Sequence, residues 1–345
     1  MKVGTKNILL SILAVAILLV IGIAADQYYR LAVCNIESRD GETHYVYIPK
    51  NCPIDSVESI ISNDFEILSP LNFRLHCRLL KWQHPLSGAY TIGKREGDLS
   101  VIRRLRNGEQ TPVKISFKNV RTKAMLSRTI SSQLMLDSAD IASRLDSLPY
   151  MEQFALNEQT AVCMFIPDTY EMFWNISPDG LFQKMYQNYT SFWDAKRRRQ
   201  AAAMGLTPTE VITLASIVES ETFREFEKPI VAGLYYNRLR KGMRLQADPT
   251  VIFAMQDFTI RRVTNQHLKI DSPYNTYKYA GLPPGPIRTP YATTINAVLN
   301  YDHNNYLYMC ANADFSMTHK FATNYHEHLR NAREYQRELN KRGVK

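Results

Sequence analysis

The chain is predicted to be an α+β protein: an N-terminal transmembrane helix, then a small α/β module, then a larger mixed α+β domain. Three observations carry this reading. With 345 residues the chain can build two proper cores. An uncharged, almost wholly apolar run occupies residues 8–25. Short β-rich segments and helical patterns follow it in mixed order, with no internal repeat and no low-complexity stretch.

The apolar run is long enough for a short membrane span. Lys2 and Lys6 precede it, which places the N-terminus in the cytoplasm and everything after Asp26 outside. An uncleaved anchor over residues 1–30 is expected. Ala24-Ala25 offers a rival cleavage point, but the run is long for a signal core. Residues 43–48 then read as a strand ending at Pro49, residues 57–62 and 73–81 as helices, and residues 88–92 as a returning strand. A helix over 99–107, capped by Gly108, closes a module spanning 43–108. The linker is 108–112. A strand at 113–117 and helices at 122–134 and 139–145 open the second domain, 112–345.

Inside that domain Thr207, Pro208 and Glu210 form a capping box with proline at the first helical position. Val211, Leu214, Ala215 and Val218 share one face, and Ile212 and Ile217 widen it past half the circumference. Glu219 falls between Ala215 and Ile212 on this wheel, and Glu221 between Ile217 and Leu214. A carboxylate among apolar neighbours tends to keep its proton, which makes it a candidate general acid. Taken alone, an ion pair with Arg224 or Lys228 is the commoner role for such a glutamate. A helix over 230–239 ends at Gly242, and a chain reversal is expected at Asp248-Pro249-Thr250. Residues 271–290 are rich in Pro, Gly and Tyr, and Tyr274 and Tyr277 are expected to wall a sugar site. The tail, 324–342, reads as a charged helix clasping the domain.

Lys and Arg outnumber Asp and Glu by 42 to 33, a net charge of +9. A basic balance suits nucleic acid, anionic lipid or an anionic polymer, and the exported topology argues against nucleic acid. The basic run at 196–199 reads as a solvated helix face. The five cysteines are odd in number, widely spaced and without a C-x-x-C, so neither zinc nor thiol-redox chemistry is supported. Buried free thiols are expected, with a Cys52–Cys77 bridge left open. His326 and His328 have the wrong spacing for two ligands on one helical face. No metal and no cofactor are expected.

Five blocks then point to a family. They are IPDTYEMFW (166–174), LASIVESET (214–222), YYNRLRKGMRLQADPTVIFAM (235–255), SPYNTYKYAGLPPGPI (272–287) and THKFATNYHEH (318–328). In order and spacing they resemble the YceG-like family, the endolytic murein transglycosylases of bacterial cell-wall synthesis, over most of residues 160–330. The resemblance implies that the larger domain is catalytic and that the strand–helix–helix–strand module is LysM-like. It also implies an inner-membrane protein with its catalytic domain on the extracytoplasmic side, peptidoglycan strands as substrate and cell-wall synthases as partners. It aligns Glu219, after Ser-Ile-Val, with the catalytic glutamate. One residue would protonate the bond between N-acetylmuramic acid and N-acetylglucosamine. It would then take the proton of the muramoyl 6-hydroxyl, leaving a 1,6-anhydro end without consuming water. The family's glycine-rich turn before His319 reads here Asn312-Ala313-Asp314-Phe315-Ser316-Met317.

Glu221, about 160° from Glu219 on an ideal helix, is assigned to orientation or structure. Asn237, Arg238, Gln246, Asp248 and Thr250 are candidates for holding saccharide hydroxyls or the glutamate. Tyr274, Asn275 and Thr276 are expected to line the cleft opposite. Two other readings stand beside this one: a non-catalytic glycan-binding or division scaffold, and a two-carboxylate hydrolase pairing Glu219 with Asp248.

Overall fold

The computed structural model describes residues 2–342, and its contacts divide into two compact units. The first comprises residues up to Ile115 together with Glu171–Ile176. It opens with α1 (Lys2–Ala32), whose large apolar side chains between Ile8 and Ile23 are all more than half exposed. This is one helix long and apolar enough to cross a membrane. Its last turns join the small module: Gln27 Nε2 donates to Asn72 Oδ1 at 3.0 Å. A Cβ on Gly97 would stand 2.6 Å from the Leu31 carbonyl oxygen, so only glycine lets the chain pass there.

The module alternates β1 (Ile36–Ser38), β2 (His44–Ile48), α2 (Ile54–Ile61), β3 (Phe65–Ile67), α3 (Pro70–Leu79), β4 (Gly88–Ile92), β5 (Arg95–Glu96) and α4 (Asp98–Asn107). β2 and β4 pair antiparallel with Val46 opposite Tyr90, while β1 runs antiparallel between β3 and β5. Ile36, Ile48, Val57, Phe65, Trp82 and Tyr90 meet in its core. Asp98 is wholly buried there, bonded by His76 Nδ1 at 2.6 Å and Asn35 Nδ2 at 3.0 Å. α4 stops at Gly108, whose φ of +68° accommodates the left-handed cap.

The chain leaves the first unit through β6 (Val113–Ser116) and revisits it near β7 (Thr169–Met172). The second unit begins with α5 (Lys123–Ser131), α6 (Ser138–Leu145) and α7 (Leu148–Glu152). It continues with α8 (Pro178–Phe192), α9 (Ala195–Ala203), α10 (Pro208–Glu221), α11 (Lys228–Arg240), α12 (Asp248–Met255) and α13 (Ala292–Leu299). A hairpin of β8 (Tyr308–Ala311) and β9 (His319–Ala322), then α14 (Tyr325–Lys341), complete it.

α10 is the centre of this unit. Every residue from Val211 to Val218 is buried, with α11, α12 and α13 packed around it. A helix apolar on all sides is stable only when surrounded in this way. Its start is the capping box read from the sequence, with Thr207 accepting from Glu210 N and Glu210 accepting from Thr207 N. The expected reversal at Asp248-Pro249-Thr250 is instead the first turn of α12, because proline near a helix start lacks only an N–H that would go unused there. All five cysteines are free thiols.

Candidate active site

The last turn of α10 turns its two glutamates to opposite sides. Glu219 faces α13 and the start of α11. Lys228 Nζ lies 3.4 Å from both of its oxygens, the Thr294 hydroxyl donates to Oε2, and Asn119 Nδ2 approaches Oε1 at 3.4 Å. Lys228 is itself buried, and donates also to Glu225 Oε1 at 2.6 Å and Thr294 Oγ1 at 2.8 Å. The Glu219 side chain is only 7% exposed. This is an enclosed ion pair, the commoner role weighed for such a residue.

Glu221 points into an open cleft of about 350 Å³. Leu234, Tyr235 and Arg238 of α11, Gln246 and Asp248 at the approach to α12, and Tyr277 form one side. Residues of the β8–β9 hairpin with His319, and His328 of α14, form the other. The Tyr235 hydroxyl donates to Glu221 Oε1 at 2.7 Å. Burial raises the carboxyl to about 7, helped by the charge of Asp248 and opposed by the Tyr235 bond. Asp248 accepts from the Tyr277 hydroxyl at 2.5 Å. Burial and the charge of Arg238 lower His328, which favours its neutral imidazole.

Each wall has a local cause. Arg238 spans the cleft floor, donating through Nη1 to Leu245 O at 2.8 Å and through Nη2 to Gln246 Oε1 at 2.7 Å, with Tyr308 beneath its guanidinium. Gln246 adopts a φ of +54°, an uncommon conformation for a residue with a Cβ. The hairpin is tied down by Glu227, a buried carboxylate that accepts from the Thr222 hydroxyl, His319 N and His319 Nδ1. Gly233 lets the irregular segment before the hairpin cross α11, since a Cβ there would meet Asn304 Nδ2 at 2.6 Å and Asp302 O closer still.

Of the residues singled out in the sequence, Glu221, Arg238, Gln246, Asp248 and Tyr277 share this cleft. Glu219 does not line it. Asn237, Thr250, Asn275 and Thr276 hold the backbone that shapes it. Asn237 Nδ2 binds Asn304 O and Tyr306 O, and Asn275 Nδ2 binds Leu268 O and Ile270 O. The Thr250 and Thr276 hydroxyls meet at 2.8 Å in the interior. Tyr274 packs on Phe253 beside a different groove. Tyr235, Tyr308 and Glu227 have no role assigned from the sequence, and His328 is considered there only as a metal ligand. Tyr235 and His328 lie inside the family-like segments 235–255 and 318–328, which is the sequence signal that marks them. Among the described residues no group of three His, Cys, Asp or Glu side chains is placed to hold a metal ion.

A profile of the YceG-like family matches residues 46–334. A Bacillus subtilis protein named endolytic murein transglycosylase is 24% identical over 301 residues, 81% of each chain. A Streptococcus pneumoniae protein of the same name is 25% identical over 257 residues, 72% of this chain and 42% of that one. The crystal structure of a YceG-like protein from Listeria monocytogenes has the same fold, with a TM-score of 0.58 at 24% identity, covering 84% of this chain and 98% of that one.

Proposed function

The chain belongs to the YceG-like family, and on that footing we propose that it is a membrane-anchored lytic transglycosylase, a carbon–oxygen lyase that cuts murein strands internally with Glu221 as its acid and base. The observation that carries this is a carboxyl poised at about 7 inside an open cleft. Such a group can be a protonated donor and, once spent, a carboxylate acceptor within one turnover. Glu221 donates to the glycosidic oxygen as the bond to the muramoyl anomeric carbon breaks. It then removes the proton of the 6-hydroxyl as that oxygen closes on the same carbon. Tyr235 fixes one carboxylate oxygen and leaves the other for the substrate. Arg238 and Gln246, locked to each other, offer fixed donors to sugar hydroxyls. The glutamate assigned from the resemblance, Glu219, is proposed here as a structural ion pair.

Topology and modules follow the same reading. α1 is proposed as an inner-membrane anchor with the catalytic unit on the extracytoplasmic side. The small unit, with α2 and α3 between the paired strands β2 and β4, is proposed as a LysM-like wall-contact module, and synthases of the wall as partners. A second reading, a two-carboxylate hydrolase, is favoured by Asp248 lining the same cleft as Glu221. Mass spectrometry of products from purified uncrosslinked strands separates the two. Anhydro ends support the proposal, water-added ends support the hydrolase, and no cleavage refutes both.

A further inference from the structure

The same two helix turns that frame the cleft also line a second, smaller cavity. Ser220 and Pro249, the neighbours of Glu221 and Asp248, line this cavity of about 140 Å³. Its remaining wall is Ile252, Phe253, Phe258, Ile260 and Ile287, together with two cations, Arg121 and Arg288. Among the described residues, no acidic side chain lines it. Arg121 lies over the Phe258 ring at 5.1 Å, and Arg288 reaches the carbonyl oxygen of Glu219 at 3.5 Å. The carboxylate whose charge acts on Arg288 is that of Glu219, which Lys228 already holds. Two guanidiniums repel each other in a largely apolar cavity, and the arrangement gains most when an oxyanion bridges them.

We propose that Arg121 and Arg288 form a subsite for a carboxylate carried by the peptide stem of the murein strand, next to the bond that is cut. This rests on the murein reading of Glu221's cleft. The chemistry of the wall chooses the ligand. One face is cationic and matches a bidentate carboxylate, whereas five hydrocarbon side chains match the methyl and methylene surface of a short peptide. A pyrophosphate of similar size would turn most of its oxygens against hydrocarbon.

The test is calorimetric titration of the full chain with a disaccharide tetrapeptide of N-acetylglucosamine and N-acetylmuramic acid, and with the same molecule after amidation of its peptide carboxylates. The carboxylate form should bind the Arg288→Met variant about 10- to 100-fold more weakly than the parent chain. The amidated form should bind the parent weakly and be insensitive to the substitution. Arg121→Met, at an exposed position that leaves folding intact, should reproduce the effect. Equal binding of both forms by the parent, or an unchanged affinity in both variants, overturns the subsite. So does binding of inorganic pyrophosphate without binding of the carboxylate form. A chain that shows the expected binding pattern yet cleaves nothing keeps the subsite and removes the catalytic reading. Anhydro products without the carboxylate preference do the reverse.

Discussion

Glu219 and Glu221 differ in what later segments of the chain bring to them. Lys228 and Thr294 close around the first, and Tyr235 hydrogen-bonds the second. Exchange to glutamine should therefore separate activity from stability. Glu221→Gln should fold normally and lose about 10⁴-fold in cleavage rate, the upper end for a general acid, because one group serves both proton steps. Glu219→Gln should keep the chemistry and lose stability, toward the low end of the roughly 3–5 kcal/mol cost of breaking a buried pair, since Lys228 retains Glu225. Rates with melting temperatures decide it; near-normal anhydro release by a folded Glu221→Gln variant sinks the assignment. The pH dependence follows from the same carboxyl. The first step needs the proton, so kcat/KM should fall as pH rises through about 7. The folded state also holds that proton where the unfolded chain has lost it, between the ordinary glutamate value and about 7, so stability falls as pH rises through that window. Melting temperature of Glu221→Gln relative to the parent should therefore rise between about pH 5 and pH 8, and a flat difference would show the carboxyl to be unshifted. The wheel separated the two glutamates correctly, because helical angles are local. Which face would meet the cleft was not legible, because Lys228, Thr294 and Tyr235 set it from outside the helix.

Elements whose causes are local were legible, and those whose causes lie far along the chain were not. The Thr207 capping box and the Gly108 cap announce α10 and α4 within a few residues. The hairpin escapes such reading. Its strands, Tyr-Met-Cys-Ala and His-Lys-Phe-Ala, lack a clean alternation, and no glycine marks the turn. The turn instead places Phe315 at φ +60° and Met317 at φ +58°. Phe315 is compensated by Arg342, whose guanidinium stacks on its ring at 4.0 Å, while the Met317 side chain is exposed. Met317→Gly should therefore stabilise the chain by about 1 kcal/mol, the order of the left-handed penalty removed; an unchanged or lower melting temperature would show the strain to be absent. Gly233→Ala should do the opposite, costing about 1–3 kcal/mol as the crossing segment is pushed from α11. Because that segment leads into the cleft wall, activity should fall with it.

At the scale of the whole chain, composition announced two cores and an apolar leader, but not how the units are threaded. Glu171–Ile176 joins the first unit because Trp174 packs on Tyr47, with ring centroids 5.1 Å apart, and Asn175 Nδ2 donates to Ser87 O at 2.7 Å. Partners so distant in sequence leave no periodic trace. The leader is a simpler case. Hydropathy averages 3.1 over the most apolar window of α1, and none of the described residues covers that window. Water is a costly surrounding for so much hydrocarbon, at roughly 25 cal/mol per Å² of apolar surface. Lipid relieves that cost for an intact helix, whose backbone bonds are already satisfied. The end of α1 is also built into the module, through Gln27 to Asn72 and the contact allowed by Gly97, so cleavage after Ala25 would leave a helix stub bound to the folded unit. The full chain should therefore remain in the membrane pellet after alkaline carbonate washing and be released by detergent. N-terminal sequencing of the mature protein should find residues upstream of Asp26 retained. A soluble form starting near Asp26 would convert the anchor into a signal segment, while leaving Glu221 and its cleft unchanged.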